Sequence, residues 1–424
     1  MRSRTLAAAA GLISVVAGTV VIPASPAAAD TVRAVPGSRV LSVQGHGWGH
    51  GRGMSQNGAY GAALKHGLSS TQILDFYYPG TRATTVPNRT VRVQLRTQET
   101  AGGGAGVEVE NPGELALRDD ASQTSYLLAS TTSPRWRVQP TAAGLRVQYL
   151  NASQWTTWRT FAGPVRLDAK RSASTRVLAP LDRRYTSSSI QVLQQRSPSG
   201  ARLPRQTLVA RVPLESYLRG VVPLESPTSW PLAALQAQSV AARSYTLYKL
   251  DHAGATAYDI CDTTACQVYG GDNVFNPKSD RAVATTAGVV RTYAGKAILA
   301  EFSASNGGWT TSGGVPYLPA KADPYDGAVP SASHAWTASL PTSALEKAYP
   351  TIGRLTSVQV LTRDGRGDWG GRVQTVRLSG ERGSVVTSGQ AVYRAAAWPA
   401  SRTGLRSPWW TITSTPPATA SRQG

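Results

Sequence analysis

Acidic side chains are scarce in this 424-residue chain: 24 Asp+Glu stand against 44 Lys+Arg, a formal net charge of +20. The imbalance comes from missing acids, not from basic runs. It predicts attraction to polyanions without choosing among nucleic acid, an anionic membrane and an anionic cell wall. Cysteine is almost absent; two residues exclude a disulfide-dense scaffold and a zinc ribbon built from CxxC pairs. Phenylalanine is rare as well, 4 against 11 Trp and 16 Tyr, which favours amphipathic rings suited to polar ligands such as sugars. Beyond residue 22 no stretch approaches the roughly 18 uninterrupted apolar residues of a membrane helix. Walker loops, HExxH, dinucleotide fingerprints and nucleic-acid modules are missing too. What remains is 41% hydrophobic and 16% charged, a composition able to bury one large or two moderate cores.

Residues 1–29 have the form of an export signal peptide. Arg2 and Arg4 make a basic start, Leu6 to Ile22 is apolar, and Ala27-Ala28-Ala29 offers small residues for cleavage before Asp30. Its removal takes two positive charges from the +20 and leaves +18. An uncleaved membrane anchor is the alternative, disfavoured by a short, proline-terminated apolar run. The expectation is a secreted, wall-associated protein with no membrane span in the mature chain and no nucleic-acid partner. The polyanion outside the cell is the wall with its anionic polymers.

A glycine-rich loop runs from Gly45 to Gln56, through His46, Trp48, His50, Arg52 and Met54. A helix is expected from Asn57 to Lys65 with Gly67 as its C-cap, then another from Thr71 to Tyr77, stopped by Pro79-Gly80. From 82 to 208 alternating stretches around Val91–Leu95, Gly106–Val109, Leu145–Tyr149 and Ile190–Leu193 predict half-exposed antiparallel strands. Residues 231–250 read as the strongest helix, with Pro231 in its first turn and Ser229 as its cap. Ile298-Leu299-Ala300 reads as an apolar strand, 281–345 as short strands and loops, and 358–386 alternates again. One pentapeptide occurs twice, as Val212-Pro213-Leu214-Glu215-Ser216 and Val222-Pro223-Leu224-Glu225-Ser226.

Glu225 is the candidate general acid. It is expected in a loop before the long helix, where Val221, Val222, Leu224 and Trp230 would desolvate it and raise its pKa. The competing reading is an acid that only complements the helix dipole. Glu215, without the Trp-Pro context, reads as structural. His46 and His50 are four apart on a glycine loop, so helical metal-ligand spacing does not apply, and loop donors or plain loop structure are favoured. Cys261 and Cys266 enclose four residues; export and an even count favour a disulfide, with zinc shared with His252 as the alternative. The loop from Glu301 to Thr310 can present Ser303, Asn306 and Thr310 to a sugar, or form only a tight hairpin. No His adjoins it, so a serine triad is not supported.

In combination these blocks resemble the SpoIID/LytB family (stage II sporulation protein D and the amidase enhancer LytB). The matching segments are Val212 to Val222, Glu225 to Pro231, Ala234 to Tyr245, Cys261 to Tyr269, Phe302 to Thr310 and Asp323-Pro324-Tyr325-Asp326. In the family's usual order the Gly-His-Gly-x-Gly-Met-Ser-Gln block lies near the C-terminus, after a segment like Gly404 to Trp410. Here it comes first, at Gly49 to Gln56, followed by Ile73 to Thr81. That order reads as a circular permutation, with Trp410-Thr411-Ile412 expected beside Arg39 to Ser42 as neighbouring strands.

The resemblance implies an α+β fold: a β-rich single catalytic domain with antiparallel sheets, one prominent helix after the catalytic loop, and a β-rich insertion. The expected parts are a 30–81 motif segment, an 82–204 subdomain, a 205–412 core and a 413–424 polar tail. It implies a lytic transglycosylase acting on peptidoglycan glycan strands, particularly strands stripped of stem peptides, and giving 1,6-anhydro-MurNAc ends. Glu225 matches the catalytic acid, and His50, Gln56, Ser303, Asn306 and Thr310 match positions placed around the groove. No cofactor is implied; zinc occurs in some members, but no His sits close to Cys261 and Cys266 here. The alternative is a non-catalytic glycan-binding protein that modulates a cell-wall amidase.

Overall fold

Alternation of apolar and polar residues produces most of the molecule. The computed structural model describes residues 30–101, 106–129, 133–169, 174–186, 189–397 and 404–413. The signal peptide expected over 1–29, and all but the first residue of the polar tail, lie outside these. The fold is α+β and rich in antiparallel sheet. Among the described residues no helix is long and apolar enough to cross a membrane.

Two sheets share the largest core. In one, seven strands run in the order Ile260–Cys261, Thr90–Gln94, Arg202–Pro213, Ser189–Arg196, Val165–Ala169, Glu114–Asp119 and Ser125–Ala129. The other has six: Gln154–Phe161, Gly144–Asn151, Arg135–Thr141, Val107–Glu110, Ser174–Ala179 and Arg183–Thr186. Period-2 burial supplies their shared interior, including Val93, Leu117, Val138, Val147, Leu167 and Val192. Trp136 is buried in it, while Trp155 and Trp158 are half-buried. Arg202–Pro213 passes straight through 204/205, so this sheet runs across the expected boundary.

A second core joins Val40–His46 and its neighbours to the sheet of Arg33–Ala34, Leu355–Arg363, Val373–Gly380 and Gly383–Ser388. Here the two ends of the described chain meet. Trp410–Ile412 pairs antiparallel with Val40–His46, as Gly45↔Trp410, Gln44↔Thr411 and Val43↔Ile412. The strands are neighbours, in a register shifted toward residue 45 from the stretch expected to receive them.

The helices form the third core. Gln56–His66 ends at Gly67 in a left-handed conformation (φ 64°), and Ser70–Tyr77 carries a capping box from Ser69 and Gln72. Both pack on Leu232–His252, whose Ala237, Val240 and Ala241 are buried among them. This long helix begins after Pro231, with no side-chain cap; Ser229 does not serve as one. Helices at Pro277–Thr285 and Thr342–Ala348 occupy parts of the region expected to hold short strands and loops. Ile298 to Ala300 forms no strand: Ile298 and Ala300 are buried against the helices, and ladder pairing stops at Lys296–Ala297 and resumes only at Phe302–Ser303.

Candidate active site

That late pairing builds the site. Phe302–Ser303 runs parallel to Met54–Ser55, which lays the glycine loop against the 301–310 loop. Ser55 then caps the helix Gln56–His66, its Oγ accepting from the Gly58 N–H at 2.9 Å, so Gln56 emerges at the helix start. A cavity of about 580 Å³ opens there, bounded by Gln56, Glu225, the 264–268 turn and the helix Gly389–Ala395.

Glu225 closes a short helical turn, Val222–Glu225, instead of lying in an open loop. Val221 and Val222 behind it are fully buried, but Leu224 turns outward and Trp230 stacks on Tyr60, so the apolar shelf is only partly present. The carboxylate takes two neutral hydrogen bonds. The Val268 N–H donates to Oε1 at 3.0 Å and Gln56 Nε2 donates to Oε2 at 3.1 Å. Burial raises its pKa above the ordinary carboxylate value, and these two donors pull it partly back. No cation enters the balance.

The second carboxylate on the cavity has a different setting. Glu301 accepts two hydrogen bonds from Arg52, Nε to Oε2 and Nη2 to Oε1, both 2.6 Å. This bidentate pair is neutral as a unit. Tyr245 lines the same space, and burial, aided by the charge of Glu301, pushes its hydroxyl up to about 12. It is therefore a neutral donor at physiological pH.

Of the residues grouped by motif, the fold brings His50, Gln56 and Ser303 to the cavity with Glu225. Nδ1 of His50 accepts the Arg52 N–H at 3.0 Å. Burial first, then the Arg52 charge, lowers its pKa to about 4, so the ring is neutral at pH 7. Oγ of Ser303 accepts from the Gly51 N–H at 3.3 Å. Asn306 and Thr310 do not line the cavity. Asn306 is 1% exposed, its Nδ2 donating to Asp323 at 2.6 Å and its Oδ1 accepting from Gly308. Thr310 Oγ1 donates to the Pro319 carbonyl and accepts from the Lys321 N–H. Both hold the loop together behind the wall. His46 lies apart from His50, between the rings of Trp369 and Trp409 with Nε2 3.1 Å from Asp368.

Cys261 and Cys266 are joined in a disulfide with Cα atoms 5.5 Å apart, so the pair has no thiolate to offer a metal. His252 stacks on Tyr248. Residues that motif reading passed over are the Arg52–Glu301 pair, Tyr245, and Gln390, Tyr393 and Arg394 of the helix Gly389–Ala395. Arg52, Glu301 and Tyr245 stood inside quoted motifs, but their meeting across 249 residues leaves no local signal.

Comparison with known proteins gives matches over part of the chain. Residues 204–293, which include Glu225, Tyr245 and Val268, match the SpoIID family model, described as stage II sporulation protein. An amidase enhancer of Bacillus subtilis is 43% identical over 135 residues, 30% of this chain and 17% of that protein. The stage II sporulation protein D of Bacillus amyloliquefaciens is 30% identical over 196 residues, 41% of this chain and 56% of its own. The chain thus spans about a sixth and just over half of these relatives. Motif and match agree over this segment: residues 204–293 carry a SpoIID-family domain, in line with the SpoIID/LytB resemblance.

Proposed function

We propose that the protein is an exported peptidoglycan lytic transglycosylase, cleaving MurNAc–GlcNAc bonds of glycan strands and leaving 1,6-anhydro-MurNAc ends. The observation that carries this reading is the single unpaired carboxyl on the cavity: neutral donors hold Glu225, whereas Arg52 neutralises Glu301. An ordinary glycosidase needs two working carboxyl groups, one of them to activate water or attack the sugar. One suffices if the sugar supplies its own nucleophile. Glu225, protonated, gives its proton to the glycosidic oxygen as the C1–O bond breaks. The resulting carboxylate takes the proton of the muramyl C6 hydroxyl as that oxygen bonds to C1. No water is consumed and the acid is regenerated.

The raised pKa of Glu225 supports the starting protonation state. Gln56 and Val268 orient the carboxyl, His50 and Ser303 shape the wall, and Asn306 and Thr310 brace it. On this reading 30–81 and 205–412 form one catalytic unit in permuted order, 82–204 is a β-rich subdomain, and the +18 charge of the mature chain holds it on anionic wall polymers. Glu225→Gln should lower release of anhydro ends on the order of 10²–10⁴-fold, while glycan pull-down survives. Mass spectrometry finding no anhydro ends from the wild type overturns the proposal. A second reading, glycan binding that modulates an amidase, is favoured by the relative named amidase enhancer. It requires wild type and Glu225→Gln to stimulate a wall amidase equally.

A further inference from the structure

Among the described residues, Trp48 is the tryptophan that lines the cavity holding Glu225, and it is half-buried there. An indole on a polar cavity sets a large apolar face beside hydrogen-bonding groups.

The ring is held rigidly. Its backbone is tied to Ser305 in both directions, N–H to carbonyl at 2.8 Å and carbonyl to N–H at 3.2 Å. The flanking Gly47 and Gly49 adopt φ of 74° and 106°, and a Cβ at Gly49 would come within 2.8 Å of the Ser303 Cβ. Arg406 lies over the indole, guanidinium carbon 4.8 Å from the ring centroid. Arg406 is itself anchored: Nη1 donates to the Ala332 carbonyl at 2.7 Å, and its carbonyl accepts from the Gly49 N–H at 2.9 Å. The indole is a plate fixed before any ligand arrives, so little rotamer entropy is lost on contact.

We propose that Trp48 is the stacking platform of the glycan site, receiving the C–H face of a hexopyranose. This rests on the glycan reading above. A pyranose has apolar faces and a polar rim; the indole desolvates one face while Gln56, Ser303 and Tyr245 lie on the same cavity to meet the rim.

The test uses the Glu225→Gln protein, so that soluble peptidoglycan glycan fragments bind without being consumed. Adding Trp48→Ala weakens their dissociation constant about tenfold in calorimetric titration. Adding Trp48→Phe instead keeps a ring in place and restores most of the affinity, which separates stacking from loss of fold. Glycan-induced quenching of tryptophan fluorescence, present in the parent, falls in the Trp48→Phe protein although it still binds. Affinity unchanged by Trp48→Ala, or quenching unchanged by Trp48→Phe, overturns the platform and leaves the proposed activity intact. Failure of the Glu225→Gln parent to bind glycan overturns the glycan reading and the platform with it.

Discussion

Val212–Ser216 and Val222–Ser226 are the same five residues, yet their glutamates sit in opposite chemical settings. Glu215 follows the strand Arg202–Pro213 into the helix Leu214–Arg219 and meets Arg243 there. Arg243 donates Nε to Oε1 at 2.9 Å and Nη2 to Oε2 at 2.7 Å, and the Gly288 N–H adds a third bond at 3.1 Å. Glu225 ends an isolated turn and finds only an amide side chain and a backbone N–H. A buried cation makes the first one half of an ion pair and a structural tie. Neutral donors and burial leave the second able to hold a proton. The pentapeptide supplies the carboxyl in both cases, and distant residues decide its chemistry.

The sharpest way to break this contrast is at Glu215. Arg243 is fully buried, so Glu215→Gln leaves a cation without its counter-charge and should cost about 3 kcal/mol of unfolding free energy. Chemical denaturation measures this, and the anhydro-forming rate of the folded fraction should stay near wild type. Loss of activity without loss of stability would make Glu215, not Glu225, the acid.

A smaller effect is expected at the disulfide. Cys261 is fixed to the seven-stranded sheet opposite Gln94, and Cys266 stands two residues before Val268, the backbone donor to Glu225. Cys261→Ser with Cys266→Ser should lower stability by about 2 kcal/mol, the closure entropy of so short a loop. Reductant should reproduce the loss in wild type and add nothing in the double variant.

Gln56→Leu tests the setting of Glu225 itself. Removing a donor to the carboxylate raises its pKa further above the ordinary value. In the proposed mechanism the acid begins protonated, so the basic limb of the kcat/KM profile should move to higher pH. An unmoved limb would mean that another group titrates there.

These contrasts also explain how far the chain could be read in advance. The helix Gln56–His66 with its Gly67 cap, the long helix and the alternating strands follow from local patterns that tertiary packing reinforces. The adjacency of Trp410–Ile412 to Val40–His46 was expected from the order of the motif blocks, and the two strands do pair. Ile298 to Ala300 was not: three apolar residues look alike whether they pair in a ladder or pack on helices. Asn306 and Thr310 show the same limit for polar groups, since a small side chain that braces a turn cannot be told from one that grips a ligand. The helix Gly389–Ala395 reaches the cavity from a different core, a placement no spacing encodes.

The smallest expected effect is thermodynamic, and it separates the twin glutamates most directly. A carboxyl whose folded pKa is raised binds its proton more tightly in the folded state than in the unfolded state. Its stability contribution is therefore fully present below the unfolded carboxyl pKa and falls as pH rises through the folded value. Glu225→Gln removes that ionisation, and a flipped Gln56 amide can accept from the new side chain. The variant should thus melt above wild type at neutral pH, and the gap should narrow as pH falls toward the unfolded carboxyl range. Glu215→Gln should behave oppositely, melting below wild type at pH 7 because Arg243 loses its partner. Melting curves of both variants at three pH values suffice. Two glutamates shifting the melting point in the same direction would refute the claim that Arg243 is what sets them apart.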